Sequence, residues 1–304
     1  MNTPLSFKIV SDIETAQELW RQFTDNLTIF DTWEFRYCFY KYENYPLHFI
    51  VGYDADLPVG ILPLQRNINE GYLEFFGSSW MEETKAYLLT DYQPCMSQFY
   101  EQINEPAKLS AILPFENYSQ SLPLDDYNYR LQLTDYSSYQ DFIDSRFNAK
   151  GQQTWKRKIK KLLTNQIEIK YNNWEDLDLL IEFNKKTFKE DSSFTNPDRV
   201  KIYYDFLELQ CCEKFLKTIE VNGVKQSVTL SLKYNDVFYY MNAGSNFEEV
   251  PNIGSYAILM DIDKAIAENA KIFNALMYSY NWKERWHLDA VALNKFEKLL
   301  PQTN

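Results

Sequence analysis

Between Phe215 and Trp286 the chain leaves itself few ways to fold. Phe215–Val221 and Val224–Tyr234 flank Asn222-Gly223, and Asn235-Asp236 separates the second run from Val237–Ala243. Asn-Gly supplies the positive φ values of a tight type I′ turn, and β-branched alternation supplies the strands, so this part reads as a three-stranded meander. Pro251–Ser255 then opens a helical run over Tyr256–Ala267, and Lys271–Tyr280 returns as an extended apolar strand ahead of Asn281–Trp286. The predicted order is strand, strand, strand, helix, strand. Its last three members form a βαβ unit, whose helix starts beyond the carboxyl end of a strand. Free amides and the positive end of the helix dipole then face a crevice suited to phosphate.

The rest of the chain supports a larger assembly around this unit. With 304 residues it is long enough for two medium domains, each with its own core. No apolar run approaches the roughly 20 residues of a membrane-spanning helix, and Met1–Ser6 lacks the basic segment and apolar core of a secretory signal. The expectation is a soluble, cytoplasmic protein. Cysteines at 38, 95, 211 and 212 show no metal-ligand spacing, and His48 and His287 are the only histidines, so no metal centre is expected and a nucleophile–histidine pair has few options. Charge is uneven. Residues 1–145 hold 8 basic against 22 acidic residues, which disfavours DNA, whereas Arg146–Lys161 holds seven basic residues and no acid.

Taken in order, Phe7–Val10 reads as a strand, and Ser11 or Asp12 caps a helix through Phe23. Trp33–Tyr42 reads as a second helix. Leu47–Tyr53 and Val59–Gln65 form a hairpin around Asp54–Asp56, and Tyr72–Phe76 adds a third strand of the same meander. A helix near Gln93–Ile103 and the strand Leu109–Leu113 complete a first half with the grammar of the second. Pro114–Asp126, rich in Pro, Asn, Ser and Asp, reads as the crossing segment. Beyond it come the strand Tyr129–Leu133, helices over Ser137–Phe147 and Trp155–Leu163, the strand Ile167–Tyr171, and helices over Trp174–Phe188 and Pro197–Gln210. The Trp155–Leu163 helix is amphipathic and strongly basic. His287–Leu300 reads as a last strand or short helix.

In this order, the Val221–Val224 hairpin, the helix start Asn252–Tyr256 and the run Trp282–Trp286 resemble the GNAT acyltransferase superfamily, in its tandem-domain branch related to CelD-type acetyltransferases and FemAB ligases. The resemblance implies an α/β fold of two tandem GNAT-like (acyl-CoA N-acyltransferase) domains with mixed central sheets flanked by helices. Residues 1–126 would be a degenerate first copy and 127–304 the donor-binding copy. It further implies an N-acyltransferase that moves an acyl group, acetyl in the simplest case, from an acyl-CoA thioester to a small-molecule or peptide amine, with the acceptor between the domains.

For the donor, the candidates are Asn242, Asn252, Ile253, Gly254, Ser255, Tyr256 and, in the basic run, Arg157. Amide donors at a helix start need no special side chain to hold an anion, although an ordinary capped helix explains the same residues. Lys283 resembles the family's lysine near the acceptor and could stabilise charge on a reacting carbonyl. Glu220 and Tyr239 are available to take the amine proton or protect a leaving thiolate. Trp282, Arg285 and Tyr280 are the substrate-binding candidates. The hydroxyl row Ser227, Thr229 and Ser231 lines either a cleft or a half-exposed sheet face. Two other readings stay open. One is a FemAB-like transferase using aminoacyl-tRNA, and the other a non-catalytic binding protein on the same fold.

Overall fold

The computed structural model describes residues 4–78, 80–114, 121–280 and 282–299. Asn281 and residues 115–120 of the expected crossing segment lie outside the described residues. Its contacts group the chain into two compact units, one running to Asn128 and resuming at Val291, the other Tyr129–Ala290.

The first unit holds β1 (Ser6–Val10), α1 (Ile13–Phe23), α2 (Trp33–Glu43), β2 (Phe49–Asp54), β3 (Leu57–Leu62), β4 (Leu64–Asn67), β5 (Tyr72–Phe75), β6 (Tyr87–Leu88), α3 (Met96–Glu101), β7 (Ala107–Ile112) and the start of β8 (Leu124–Gln132). Asp12 caps α1 by accepting from the Thr15 N–H at 2.8 Å. Ala16, Leu19, Trp20 and Phe23 are thereby set on one buried face. Trp20 centres an aromatic core, with ring centroids 5.3–6.4 Å from Trp33, Phe49, Phe76 and Tyr87. The hairpin turns where expected, Asp54 opposite Leu57. The expected meander is kept in its pairings but broken at Pro63, which has no N–H to extend the ladder. β3 stops at Leu62, and the chain resumes as β4, which still meets the lead-in to β2 (His48 N–H to the Leu64 carbonyl and Arg66 N–H to the Pro46 carbonyl, both 2.8 Å) and pairs with β5 in a second sheet.

Half-buried His48 in this unit supplies a pH test. Burial holds its pKa below the ordinary 6.5, with Arg66 adding to the shift and Glu105, 3.8 Å from Nε2, opposing it. A depressed folded pKa means that the neutral ring contributes stability above pH 6.5, and that this is lost as pH falls through the folded value. Between about pH 7 and about pH 5, the wild type is therefore expected to lose more melting temperature than His48→Gln. Parallel melting curves would count against the assignment.

The second unit continues β8 and adds α4 (Tyr139–Arg146), α5 (Ala149–Leu162), β9 (Ile167–Tyr171), α6 (Leu177–Phe188), α7 (Pro197–Glu208), β10 (Glu213–Val221), β11 (Val224–Tyr234), β12 (Val237–Ser245), α8 (Ile253–Ala267), β13 (Ile272–Met277) and the start of β14 (Asp289–Lys298). Past Val291, β14 pairs with β7 of the first unit at Asn294–Lys298. The second unit's strands run in the order β8-β13-β12-β11-β10-β9. Asn222 (φ 52°) and Gly223 (φ 78°) make the tight turn between Val221 and Val224, and Asn235 (φ 51°) opens the next one. α5 begins six residues ahead of Trp155 because Asn148 caps it, accepting from the Gly151 N–H at 3.0 Å.

Helices cover both faces of the meander. Thr229 points to α8, where its hydroxyl donates to Asp261 at 3.3 Å. By alternation, the next pair, Val228 and Gly244, points the other way, against α6. Gly244 is there because a Cβ would stand 2.4 Å from the Leu180 carbonyl oxygen. The hydroxyl row Ser227, Thr229 and Ser231 is buried under α8, so it lines no open cleft.

Candidate functional site

The βαβ unit opens beyond Tyr239. β12 and β13 pair in parallel only over Val237–Tyr239 with Ile272–Asn274. β12 runs on to Ser245 and β13 to Met277, so among the described residues the β12 edge after Tyr239 has no strand partner on that side. Two local features bend the strands apart. Met241 is a bulge, since Tyr240 stands opposite Ser231 and Asn242 opposite Leu230. On the other side β13 enters the left-handed region at Leu276 (φ 67°), whose N–H donates to Asn274 Oδ1 at 2.8 Å. The expected strand through Tyr280 is thus cut short at Met277, with Tyr278 (φ 63°) and Tyr280 (φ 45°) also left-handed. The Tyr240 ring lies 5.9 Å from Phe273 and 6.1 Å from Trp282. Burial raises the Tyr240 pKa well above its ordinary value, aided by the Asp261 charge, so its phenol stays protonated.

Lys283 closes the end of this opening. It is 2 % exposed, and its ammonium donates to the Leu276 carbonyl at 3.1 Å and to the Met277 carbonyl. The Tyr129 and Tyr280 ring centroids both lie 5.5 Å from Nζ. Lys283 therefore binds backbone at the close of β13. Trp282 is half-buried beside it, while Tyr280, 65 % exposed, and Arg285 face solvent.

α8 begins after the seven residues that follow β12, with Asn252 in the left-handed region (φ 70°) and without a side-chain cap. The Ile253 N–H donates to the Val250 carbonyl at 3.2 Å. Gly254 and Ser255, both half-buried, have no acceptor within the helix for their N–H groups. Glycine at 254 makes room for a ring, since a Cβ would stand 2.5 Å from Phe247 Cε1. Tyr256 is buried with Leu162, Ile219, Val221, Ile253 and Ala257. Together, a free strand edge and free helix amides can bind an extended acyl chain and an anion.

Other expected residues stand apart. Glu220 is buried and accepts from Lys170 at 2.9 Å. Tyr239 is fully buried. Their β11 partners are Lys225 and Leu232, so at ~3.4 Å per residue they lie some ~24 Å apart along the sheet. Asn242 belongs to a network under α6, accepting from Asn184 at 2.9 Å and from the Ala243 N–H at 2.8 Å and donating to the Tyr203 hydroxyl at 3.0 Å. Arg157 is exposed on α5. A polar group absent from the sequence expectations is the wholly buried pair Lys217 and Asp261. Its only sequence trace is a lysine in phase with Phe215 and Ile219.

The architecture is a GNAT-like tandem-domain fold. No protein-family model and no curated protein matches the chain, whereas solved structures do. FemX is similar at TM-score 0.60 and 10 % identity, covering 98 % of both chains. L-PGS from Bacillus licheniformis is similar at 0.57 and 8 %, covering 96 % of this chain and 94 % of that one. A tandem GNAT protein from the clavulanic acid biosynthesis pathway gives 0.50 and 8 %, with coverages of 97 % and 98 %. At these identities the likeness is one of fold.

Proposed function

We propose that the second unit is an N-acyltransferase that takes an acyl group, acetyl in the simplest case, from an acyl-CoA thioester and gives it to the amine of a small molecule or peptide. The single observation that carries this reading is the opening between β12 and β13, with the uncapped start of α8 beyond it. In this reading the donor lies along the free edge of β12. Its phosphates meet the first-turn amides of α8 at Gly254 and Ser255, and backbone N–H groups of β12 stabilise the carbonyl as negative charge develops. The amine attacks the carbonyl carbon, the C–S bond breaks, and the thiolate leaves with the proton that the amine loses. Tyr280, Trp282 and Arg285 are assigned to the acceptor. Lys283 is a positioning residue that keeps the end of β13 turned aside, and Glu220 and Tyr239 are given no part in the transfer. We also propose that the first unit is a degenerate copy. Its α3 has only 6 residues against 15 in α8, too short for a comparable helix-start site. A cytoplasmic location goes with a CoA donor.

The test is calorimetric titration with acetyl-CoA and CoA. Wild type is expected to bind both, and Gly254→Trp to bind about a hundredfold more weakly, roughly 2.7 kcal/mol. No heat with the wild type would remove the CoA reading. A second reading, aminoacyl-tRNA as donor, is favoured by the exposed Lys156, Arg157 and Lys160 of α5. Filter binding with charged tRNA separates the two.

A further inference from the structure

The edge that β12 turns toward the opening is not bare. The strand register and the bond from the Asn246 N–H to the Gln226 carbonyl at 2.9 Å set the backbone groups of Asn242 and Gly244 toward β11. The N–H and carbonyl of Ala243 therefore face the opening. Such an edge presents donors and acceptors to whatever lies beside it, and here side chains take them. Asn242 Oδ1 accepts from the Ala243 N–H at 2.8 Å, Asn184 Nδ2 donates to the Ala243 carbonyl at 3.1 Å, and the Tyr203 hydroxyl donates to the Met241 carbonyl at 3.4 Å.

The three side chains also hold one another. Asn184 Nδ2 donates to Asn242 Oδ1 at 2.9 Å, and Asn242 Nδ2 donates to the Tyr203 hydroxyl at 3.0 Å. Asn184 is fixed from behind, since its Oδ1 accepts from the Ser192 hydroxyl at 2.7 Å, and Asn184, Ser192 and Tyr203 are all buried. Asn242 is only half-buried. It is the member with room to turn.

A carbonyl oxygen has two lone pairs and can accept a second bond, but an N–H has one hydrogen to give. The Ala243 N–H can therefore serve the Asn242 side chain or an acyl donor lying along the strand, not both. We infer that Asn184, Asn242 and Tyr203 form a clasp that competes with the acyl donor for the β12 edge, so that a donor binds by displacing Asn242 Oδ1 from the Ala243 N–H. Opening the clasp costs the donor part of its affinity, because only the opened edge is competent to receive it. The clasp stands on its own geometry, whereas its competition with a CoA donor rests on the acyl-transfer reading.

Hydrogen exchange of the full chain, followed by NMR, reads the clasp, and calorimetry with CoA reads the competition. In the wild type the Ala243 amide is expected to exchange about a hundredfold more slowly than an exposed amide. Asn242→Ala should remove most of that protection and leave the amide of Gly244, which stands opposite Val228, as slow as before. The same variant should bind CoA about tenfold more tightly, and saturating CoA should restore protection at Ala243. Should Asn242→Ala fail to fold, Tyr203→Phe, which releases both Asn242 and the Met241 carbonyl, is expected to move both readings in the same direction. The clasp is overturned if the Ala243 amide exchanges as an exposed amide in the wild type, if the variant leaves it protected, or if Gly244 loses protection in step with it. Competition is overturned if the variant binds CoA no more tightly than the wild type. Absence of CoA binding by the wild type would remove the acyl-transfer reading and the competition together, while exchange at Ala243 still decides the clasp.

Discussion

Lys217→Met is expected to destabilise the second unit by about 3–5 kcal/mol, the usual cost of leaving one buried charge without its partner. Lys217 and Asp261 are 0 % and 1 % exposed at their side chains, and the ammonium stands 2.7 Å from Asp261 Oδ2. Lys217 also donates to the Ala257 carbonyl at 2.6 Å, and Thr229 to Asp261 Oδ1 at 3.3 Å. Burial lowers the pKa of Lys217 and raises that of Asp261, and each partner opposes the other's shift. Without the ammonium, the Asp261 carboxyl is pushed further toward its protonated form. A carboxyl whose folded pKa is raised contributes stability at low pH that is lost as pH rises through the folded value. The deficit of the variant should therefore shrink on acidification, as read by urea unfolding at several pH values. Lys217→Met with Asp261→Leu should regain most of the loss. A single variant within about 1 kcal/mol of wild type would show that the pair is not a determinant of stability.

Gly244→Ala should cost about 3 kcal/mol, the upper part of the range for overpacking. The added Cβ would meet the Leu180 carbonyl oxygen at 2.4 Å, Phe183 Cβ at 2.8 Å and the Asn184 nitrogen at 3.1 Å. Two of these atoms are backbone, so α6 must move as a body away from β12. Moving it also breaks the bonds from Asn184 Nδ2 to Asn242 at 2.9 Å and to the Ala243 carbonyl at 3.1 Å. Those bonds brace β12 beside the Met241 bulge, where the strand begins its unpaired stretch. For a unit of this size the expected fall in melting temperature is roughly 6–12 °C. Gly223→Asn is the control. It sits in an open turn at φ 78° with nothing within 4 Å of a Cβ, and Asn tolerates that conformation. Equal losses at 223 and 244 would remove the steric explanation.

Much of the second unit was legible from short-range chemistry. Asn222-Gly223 and Asn235 announce their turns because few residues accept a positive φ, and alternation then places the three strands between them. In the first unit, Asp12 announces a helix start because an oxygen there satisfies an orphan N–H. The candidate site was legible in outline, as a helix start following a meander. Its working details were not. Lys283 reads in sequence as a cation ready for chemistry, yet it meets two carbonyls that lie six and seven residues back, freed by the turned-aside end of β13. Nor does the sequence show that the missing side chain of Gly254 admits the Phe247 ring.

By itself, then, the amino-acid order determined the kind and succession of the elements, because dihedral preference, capping and apolar period act over a few residues. Tertiary structure alone decided that β12 and β13 part after three paired residues, that the strand expected over Val59–Gln65 breaks at Pro63 into β3 and β4, and that Lys217 finds Asp261. Each of these depends on groups remote in sequence, and neither a bulge nor a charge pair is defined until packing brings its two sides together.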